Sequence, residues 1–402
     1  MVMLSETRTE SGKMILNMGP QHPSTHGVLR LLLELEGETV NSCVPDIGFL
    51  HTGIEKTMEA RNYHQAIVLT DRTDYLSPLT NNLSYILACE KLFGIEAEVP
   101  ARAQVVRVIM CELSRIGSHL IWLGTHALDL GATTVFLYCW REREQILSIN
   151  ELVSGVRMMT SFFRIGGLAA DVPAEFAERV EAFARAMPGR VDEYELLLSR
   201  NPIFMDRTRG IGTVSREDAV KLGMSGPCLR GSGIPFDIRV AYPYCGYEQY
   251  QFDVPFSTEG DVYARYMVRV REMRESVRII RQGLEMLRGM QGAPIRVDNP
   301  RIAFPKRDKI HTSMESLIHH FKLVSEGPVP PAGEAYAPVE SPRGELGTHV
   351  YSDGSNKPHR VRIRAPGFYN LQALPQLTAG RLVADVVACI GSIDIVLGEI
   401  DR

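Results

Sequence analysis

Three short polar strings in this chain carry side chains able to donate, accept or hold protons. The first is Gly19-Pro20-Gln21-His22-Pro23-Ser24-Thr25-His26-Gly27. Two histidines in an HxxxH spacing could grip a metal from one helix face, but Pro23 and Gly27 are turn residues and argue against a helix here. The string then reads as a turn whose histidines satisfy backbone groups, or as a loop that sets His26 up as a proton donor, since imidazole titrates near ~6.5. The second string is Asp71-Arg72-Thr73-Asp74-Tyr75-Leu76, directly before Ser77-Pro78. It reads as a polar interhelical loop with an Asp–Arg pair, or as a device that holds the Tyr75 hydroxyl beside a helix N-terminus, where it can donate to a carbonyl ligand. The third is Thr125-His126-Ala127-Leu128-Asp129-Leu130-Gly131, which sets one carboxylate between two apolar helices. Asp129 is either a helix-end cap or a buried acid that needs a partner.

Two further patterns bear on chemistry. Arg265, Arg269, Arg271, Arg274, Arg278 and Arg281 recur along one helical stretch with Glu272 and Glu275 between them. Mixed signs predict a solvated, salt-bridged face, with a partner-facing surface as the alternative. No GxGxxG or GxxxxGK[ST] follows a strand pattern, so the chain gives no sign of binding NAD itself.

The elements that must position these strings are legible in outline. Leu29, Leu31, Leu33 and Leu35 alternate with Arg30, Glu34 and Glu36, Leu32 being the exception, and Glu36-Gly37-Glu38 supplies a turn, predicting a hairpin over 27–44. Ser77-Pro78 opens a helix that Gly94 stops. Long helices are expected over 101–127, 136–163 (ended by Gly166-Gly167) and 258–290, and Thr312 with Glu315 reads as a capping box opening 313–325. After Gly327-Pro328-Val329-Pro330-Pro331, strands are expected over 336–340, 345–352 and 360–364, then a helix over 377–390. The segment beyond the prolines would have little core of its own. The expected organisation is therefore one domain over 14–402: an N-terminal β region (14–50), a helical core (54–326) and C-terminal strands and helix (332–402), after a flexible stretch 1–13. The fold class is mainly α with small β-sheets.

Composition excludes several classes. A net charge of -4 gives no global reason to bind nucleic acid or an anionic membrane. Residues 1–13 lack an apolar core, so a secretory signal is not expected. The apolar stretches fall short of the roughly 20 residues that span a bilayer. The 7 cysteines are scattered and none forms a CxxC pair, which fits reduced thiols.

The strings themselves resemble one family. Gly19–Gly27 with Val28-Leu29-Arg30-Leu31 is similar to the N-terminal signature of the D-type chain of respiratory complex I, the NADH-quinone oxidoreductase homologue of the nickel–iron hydrogenase large subunit. So are His51-Thr52-Gly53-Ile54-Glu55-Lys56-Thr57-Met58, the Asp71 and Thr125 strings, Arg141-Glu142-Arg143-Glu144, and Ala241-Tyr242-Pro243-Tyr244. Arg271-Glu272-Met273-Arg274-Glu275-Ser276 and Glu340-Ser341-Pro342-Arg343-Gly344-Glu345-Leu346-Gly347 continue it, and it ends within 392–402. The matches run in order along almost the whole chain.

The resemblance implies a hydrogenase-large-subunit-like helical bundle with peripheral sheets. Hydrogenases hold their metal with two CxxC pairs, whereas the matching stretches here read Asp71-Arg72-Thr73-Asp74-Tyr75 and Asp394-Ile395-Val396-Leu397. Soft metals need those thiolates, so hydrogenase activity is excluded and no metal is expected on this chain. The family places a quinone headgroup in the old metal cavity. By that likeness His26 and Tyr75 meet the headgroup, Thr125 lies along the same wall, and Asp129 pairs with His26 and keeps it protonated. Quinone is then substrate. The electrons come from an iron–sulfur cluster in a partner, because nothing here could ligate one, and NAD and FMN reside only in other subunits. His51, Thr52, Arg72 and Met159 are expected near that cluster. Met159 stands where many members have a histidine and Thr52 where mitochondrial members have an arginine. Both changes remove positive charge and imply a cluster of low, nearly pH-independent potential, suited to a low-potential quinone such as menaquinone. Redox titration of the cluster against pH checks this.

Implied partners are the B-type cluster subunit, a C-type subunit and the H-type membrane subunit, with the chain peripheral on the cytoplasmic face of a bacterial membrane and inactive alone. Two alternatives stand beside this: a scaffold role with a degenerate site, and the same role in a complex fed by ferredoxin or another donor.

Overall fold

The computed structural model describes residues 6–8 and 14–402; the rest of the stretch expected to be flexible, 1–13, lies outside the described residues. The alternating leucines form β3 (Arg30–Glu36), which turns through Gly37 (φ 62°) into β4 (Thr39–Asp46). The hairpin is part of a larger sheet, because β1 (Glu6–Arg8) and β2 (Met14–Met18) continue it in the order β1-β2-β3-β4, all antiparallel. Leu31, Leu33 and Leu35 are buried, as period-two alternation demands. They share an apolar cluster with Ile390, Ile393 and Leu397, so the N-terminal sheet and the C-terminal helices bury one another.

The larger apolar cluster belongs to the helical bundle. Its long members are Pro78–Phe93, Ala101–Asp129, Thr133–Ser154, Phe176–Leu198 and Val262–Arg288. Among the described residues, no helix is long and apolar enough to cross a membrane. A two-stranded sheet, β5 (Phe163–Arg164) with β6 (Gly167–Leu168), and a three-stranded antiparallel sheet flank the bundle. The latter comprises β7 (Gly333–Ser341), β8 (Gly344–Ser352) and β9 (Arg360–Arg364), and β7 lies on the Pro78–Phe93 helix. The fold is thus mainly α with three small antiparallel sheets.

Several boundaries differ from expectation for local reasons. The helix expected over 136–163 ends at Ser154, where Gly155 takes the left-handed conformation (φ 77°) and caps it; Gly166-Gly167 instead turn β5 into β6. Ser313, not Thr312, caps the Met314–Ser325 helix by accepting from the Ser316 amide, because Thr312 ends a preceding turn of helix, Arg307–Thr312. The helix expected over 377–390 is two, Leu374–Thr378 and Val383–Ile393, separated at Gly380 (φ 70°). The arginine helix is not one solvated face. Arg265, Arg269 and Glu272 are buried in the bundle while Arg278 reaches the exposed Asp253.

Candidate functional site

Four chain segments converge where the sequence strings predict chemistry. The C-terminal helix Leu397–Asp401 lies hard against the 71–77 loop: a Cβ at Gly398 would stand 2.6 Å from the Thr73 carbonyl oxygen and 3.3 Å from the Tyr75 ring. Only glycine permits that approach. The Asp401 carboxylate accepts from the Gly48 and Leu50 amides (2.9 and 2.6 Å), and the Asp401 carbonyl meets His51 Nδ1 at 2.7 Å, which pins the 48–53 segment. Asp71 accepts from the Ser161 amide and hydroxyl (2.7 and 2.6 Å), which ties the 71–77 loop to the 155–162 segment.

Behind Tyr75 lies a buried ion cluster. Arg343, fully buried in the turn between β7 and β8, donates to Asp74 Oδ2 (2.5 Å), to Asp394 Oδ1 (3.3 Å) and to the Asp394 carbonyl (2.9 Å). The turn can tuck that side chain inward because Gly344 (φ 134°) packs against Ser225, where a Cβ would come within 2.5 Å of the hydroxyl. Asp74 also caps its own loop by accepting from the Leu76 and Ser77 amides (3.0 and 3.3 Å). Tyr75 is half-buried, and burial with the Asp74 charge raises its pKa, so its phenol stays protonated. Among the described residues that hydroxyl has no hydrogen-bond partner. A crevice of about 20 Å³, lined by Tyr75, Pro78, Ser114, Gly117, Ile146 and Met158 among others, opens beside it, room for about one water.

The first loop divides its two histidines between structure and site. His22 caps the short Pro23–Thr25 turn, its Nδ1 accepting from the Ser24 amide (3.2 Å). His26 sits in the left-handed region (φ 55°), is open to solvent, and makes no side-chain hydrogen bond among the described residues. The mass of protein around it and the neighbouring Arg343 charge lower its pKa to about 4. Among the described residues no hydrogen bond or ion pair joins Asp129 to His26, and His26 is pushed toward its neutral form, not held protonated. Asp129 ends the Ala101–Asp129 helix, where the dipole disfavours a negative charge, and desolvation raises its pKa to about 6.

Thr125 is half-buried one turn earlier, and its hydroxyl donates to the Ile121 and Trp122 carbonyls (3.0 and 3.2 Å), leaving only acceptor capacity for a ligand. His51 and Thr52 are exposed; Arg72 is exposed with its guanidinium on the Val68 carbonyl; Met159 is half-buried in a left-handed turn (φ 54°). The Asp71–Ser161 contact brings the segments carrying Arg72 and Met159 together.

Sequence reasoning singles out neither Arg343, Asp394, Glu399 nor His126 as site residues. Arg343 and His126 lie inside recognisable motifs, but their signal is burial and only the fold supplies it. His126 is buried, stacked on Trp122 (centroids 5.6 Å apart, 15° between planes), and burial with the Arg269 and Arg265 charges lowers its pKa to about 3. Among the described residues, no group of three or more His, Cys, Asp or Glu could hold a metal ion.

Fold and site together describe a helical-bundle protein that sets a phenol and an imidazole beside a buried arginine. Residues 129–402 match the family described as respiratory-chain NADH dehydrogenase, 49 Kd subunit. Over 393 residues the chain is 62% identical to the second D-type chain of NADH-quinone oxidoreductase from Roseiflexus sp. (strain RS-1), covering 98% of this chain and 94% of the relative. It is 58% identical over 389 residues to the second D-type chain of the same enzyme from Koribacter versatilis (97% and 96% covered). It is 56% identical over 389 residues to the D-type chain from Trichlorobacter lovleyi (97% and 98% covered). The chain belongs to this family, the D-type (49 kDa) subunits of NADH-quinone oxidoreductase, and so works among the other subunits of that complex.

Proposed function

We propose that this chain presents the quinone headgroup site of its complex, with Tyr75 and His26 as the two headgroup partners. The observation that carries the reading is that these two side chains, from separate loops, both neighbour the Arg343 charge, reach solvent, and keep hydrogen-bond capacity that nothing among the described residues uses. Reduction of a quinone to the quinol takes two electrons and two protons, and charge develops on two oxygens. Donors fixed in advance at those oxygens stabilise it. The Tyr75 hydroxyl donates to one oxygen and passes it a proton. Neutral His26 orients the other oxygen through its ring N–H, and carries a proton only after taking one up. Thr125 accepts along the wall, and Asp129, which has no ion pair among the described residues, serves as the counterion when His26 gains a proton.

The electrons reach the site from an iron–sulfur cluster of the B-type subunit, and His51, Thr52, Arg72 and Met159 face that side. The open crevice beside Tyr75 closes against that partner, with the C-type and H-type subunits completing the peripheral attachment at the cytoplasmic face. The quinone, ubiquinone or menaquinone, is the substrate, while NAD and FMN stay in other subunits. Proton movement at the site drives proton translocation by the membrane subunits.

Tyr75→Phe tests the reading in membranes, with assembly of the complex measured on the same sample. Turnover with quinone is expected to fall by at least about a hundredfold, the general-acid range, in a fully assembled complex. Full activity in the assembled variant would mean that the 71–77 loop is structural, and a scaffold role would take its place.

A further inference from the structure

The cluster behind Tyr75 holds more acid than its cations can balance. Asp74, Asp394 and Glu399 surround Arg343, and Arg269 adds its charge from beside Asp394. That leaves one carboxylate in excess, with all five groups buried. An isolated carboxylate in such surroundings takes up a proton instead of staying charged.

Hydrogen bonds say where the proton goes. Both Asp74 oxygens are occupied, one by Arg343 and the other by two backbone amides, so neither is free to carry the extra proton. Asp394 has one oxygen on Arg343, and its Oδ2 has no partner among the described residues. Glu399 has Oε1 on the Gly367 amide (2.8 Å), makes no guanidinium contact there, and leaves Oε2 without a partner. A neutral acid suits Glu399 best, because its free oxygen can carry the proton and its other oxygen still accepts.

We propose that Glu399 is a protonated acid in the resting enzyme and serves as the proton reserve for Tyr75. This rests on the quinone-site reading above. Tyr75 gives its hydroxyl proton to the reduced quinone oxygen and becomes a phenolate. The O–H bond at Glu399 then breaks, its proton passes to the phenolate oxygen, and the O–H bond at Tyr75 reforms. No electrons move in this step. The Glu399 carboxylate left behind is held by the field of Arg343 until it is reprotonated. The geometry is suitable: Gly398, the residue before Glu399, packs on the Tyr75 ring, and the Glu399 charge acts on Tyr75. The groups facing Glu399 are Asp74 and Tyr75 on the 71–77 loop, Arg343 on the β7–β8 turn, Asp394 on the C-terminal segment, and the Gly367 amide on the Pro366–Leu371 helix. Burial and Asp74 push the Glu399 acid up to about 8, against the pull of Arg343.

Glu399→Gln in the assembled complex is the test, because an amide copies the size, neutrality and acceptor of the protonated acid. Normal assembly is expected. Infrared difference spectra of the resting complex should lose one deuterium-sensitive carboxylic acid band. Turnover should fall about tenfold at unchanged KM for quinone, and its decline above about pH 8 should vanish. Failure to assemble would overturn the assignment, since it would mean that the carboxylate charge is needed. So would an unchanged infrared spectrum, or wild-type turnover and pH profile. The band does not depend on quinone chemistry, so a band that is lost while Tyr75→Phe stays fully active would sink the quinone-site reading, and the reserve role with it, but leave the buried proton standing.

Discussion

In the interior of the bundle Arg115, Arg230 and Arg239 meet Glu112, Asp237, Glu272 and Glu340; behind Tyr75, Arg343 and Arg269 meet Asp74, Asp394 and Glu399. Each cluster is buried and each has one more carboxylate than guanidinium. In the bundle every carboxylate oxygen has a donor. Glu112 accepts from Arg239, Arg115, the Tyr247 phenol (2.7 Å) and the Ser276 hydroxyl (2.6 Å); Glu272 accepts from Arg230 and His119; Glu340 accepts from Arg230 (2.8 Å) and the Ile238 amide (3.1 Å). Behind Tyr75 two carboxylate oxygens have none among the described residues, and the neighbours Tyr75 and His26 reach solvent. In the first cluster a donor on every oxygen fixes the carboxylates in place inside the bundle, which makes it a structural brace, even though burial and Asp237 raise the Glu340 pKa to about 7. Where donors are missing the excess becomes a proton, and beside a solvent-facing phenol that proton is usable.

The largest effect should come from breaking the brace. Arg239 donates to Asp237 through Nε and Nη2 (3.0 and 2.7 Å) and to Glu112 through Nη1 (3.0 Å). Arg239→Met leaves those carboxylates buried and underpaired, at a cost of about 3–5 kcal/mol. The protein should then fail to accumulate in assembled complex, as immunoblotting of native gels would report. Adding Asp237→Leu removes one stranded charge and should recover part of the assembly. If the single variant assembles normally, the two clusters do not differ as described.

A smaller effect separates them by pH. Glu399 has a folded pKa raised from 4.5 to about 8. Between those values the folded chain holds a proton that the unfolded chain has released. Its stabilising contribution is therefore complete below about pH 4.5 and is lost as pH rises through about 8. Glu399→Gln removes the dependence, so wild type should lose thermal resistance relative to the variant between pH 6 and 9. Assembled complex surviving a fixed heating step, measured across that range, would show the gap widening with pH. A gap that is constant with pH would mean that Glu399 is ionised at neutrality.

Much of the frame is legible in the residues. Leucine alternation marks the β3–β4 hairpin, and Ser77-Pro78 with Gly94 brackets a helix whose observed limits are Pro78–Phe93. The misplaced boundaries fall where one cap competes with another: Gly155 before Gly166, and Ser313 beside Thr312. For the site, His26 and Tyr75 can be named because they stand in loops with chemistry of their own. Arg343 and Glu399 cannot, because their significance is burial. They lie 56 residues apart in the chain, and nothing in local spacing says that they neighbour one another. The Asp129–His26 pairing comes from neither source. It assigns a contact by likeness, whereas the fold leaves Asp129 at a helix end with no ion pair among the described residues.

The smallest expected effect lies on the helix whose spacing predicts a single charged face. Arg278 contacts Asp253 (3.2 Å) and Glu275 (3.4 Å) with 47% of its side chain exposed, so water and salt screen both pairs. Arg278→Ala should change stability by less than about 1 kcal/mol and leave turnover intact. Arg269, earlier on the same helix, is fully buried, lies 4.5 Å over the Trp122 ring, and donates to the Ser392 carbonyl (2.8 Å) two residues before Asp394. The period of the helix places these arginines in opposite environments, although their spacing in the sequence looks uniform. Arg269→Ala should therefore impair assembly and, in whatever complex forms, quinone turnover. Comparable mild effects from both variants would mean that burial does not decide what an arginine does here, and the contrast between brace and proton reserve would lose its basis.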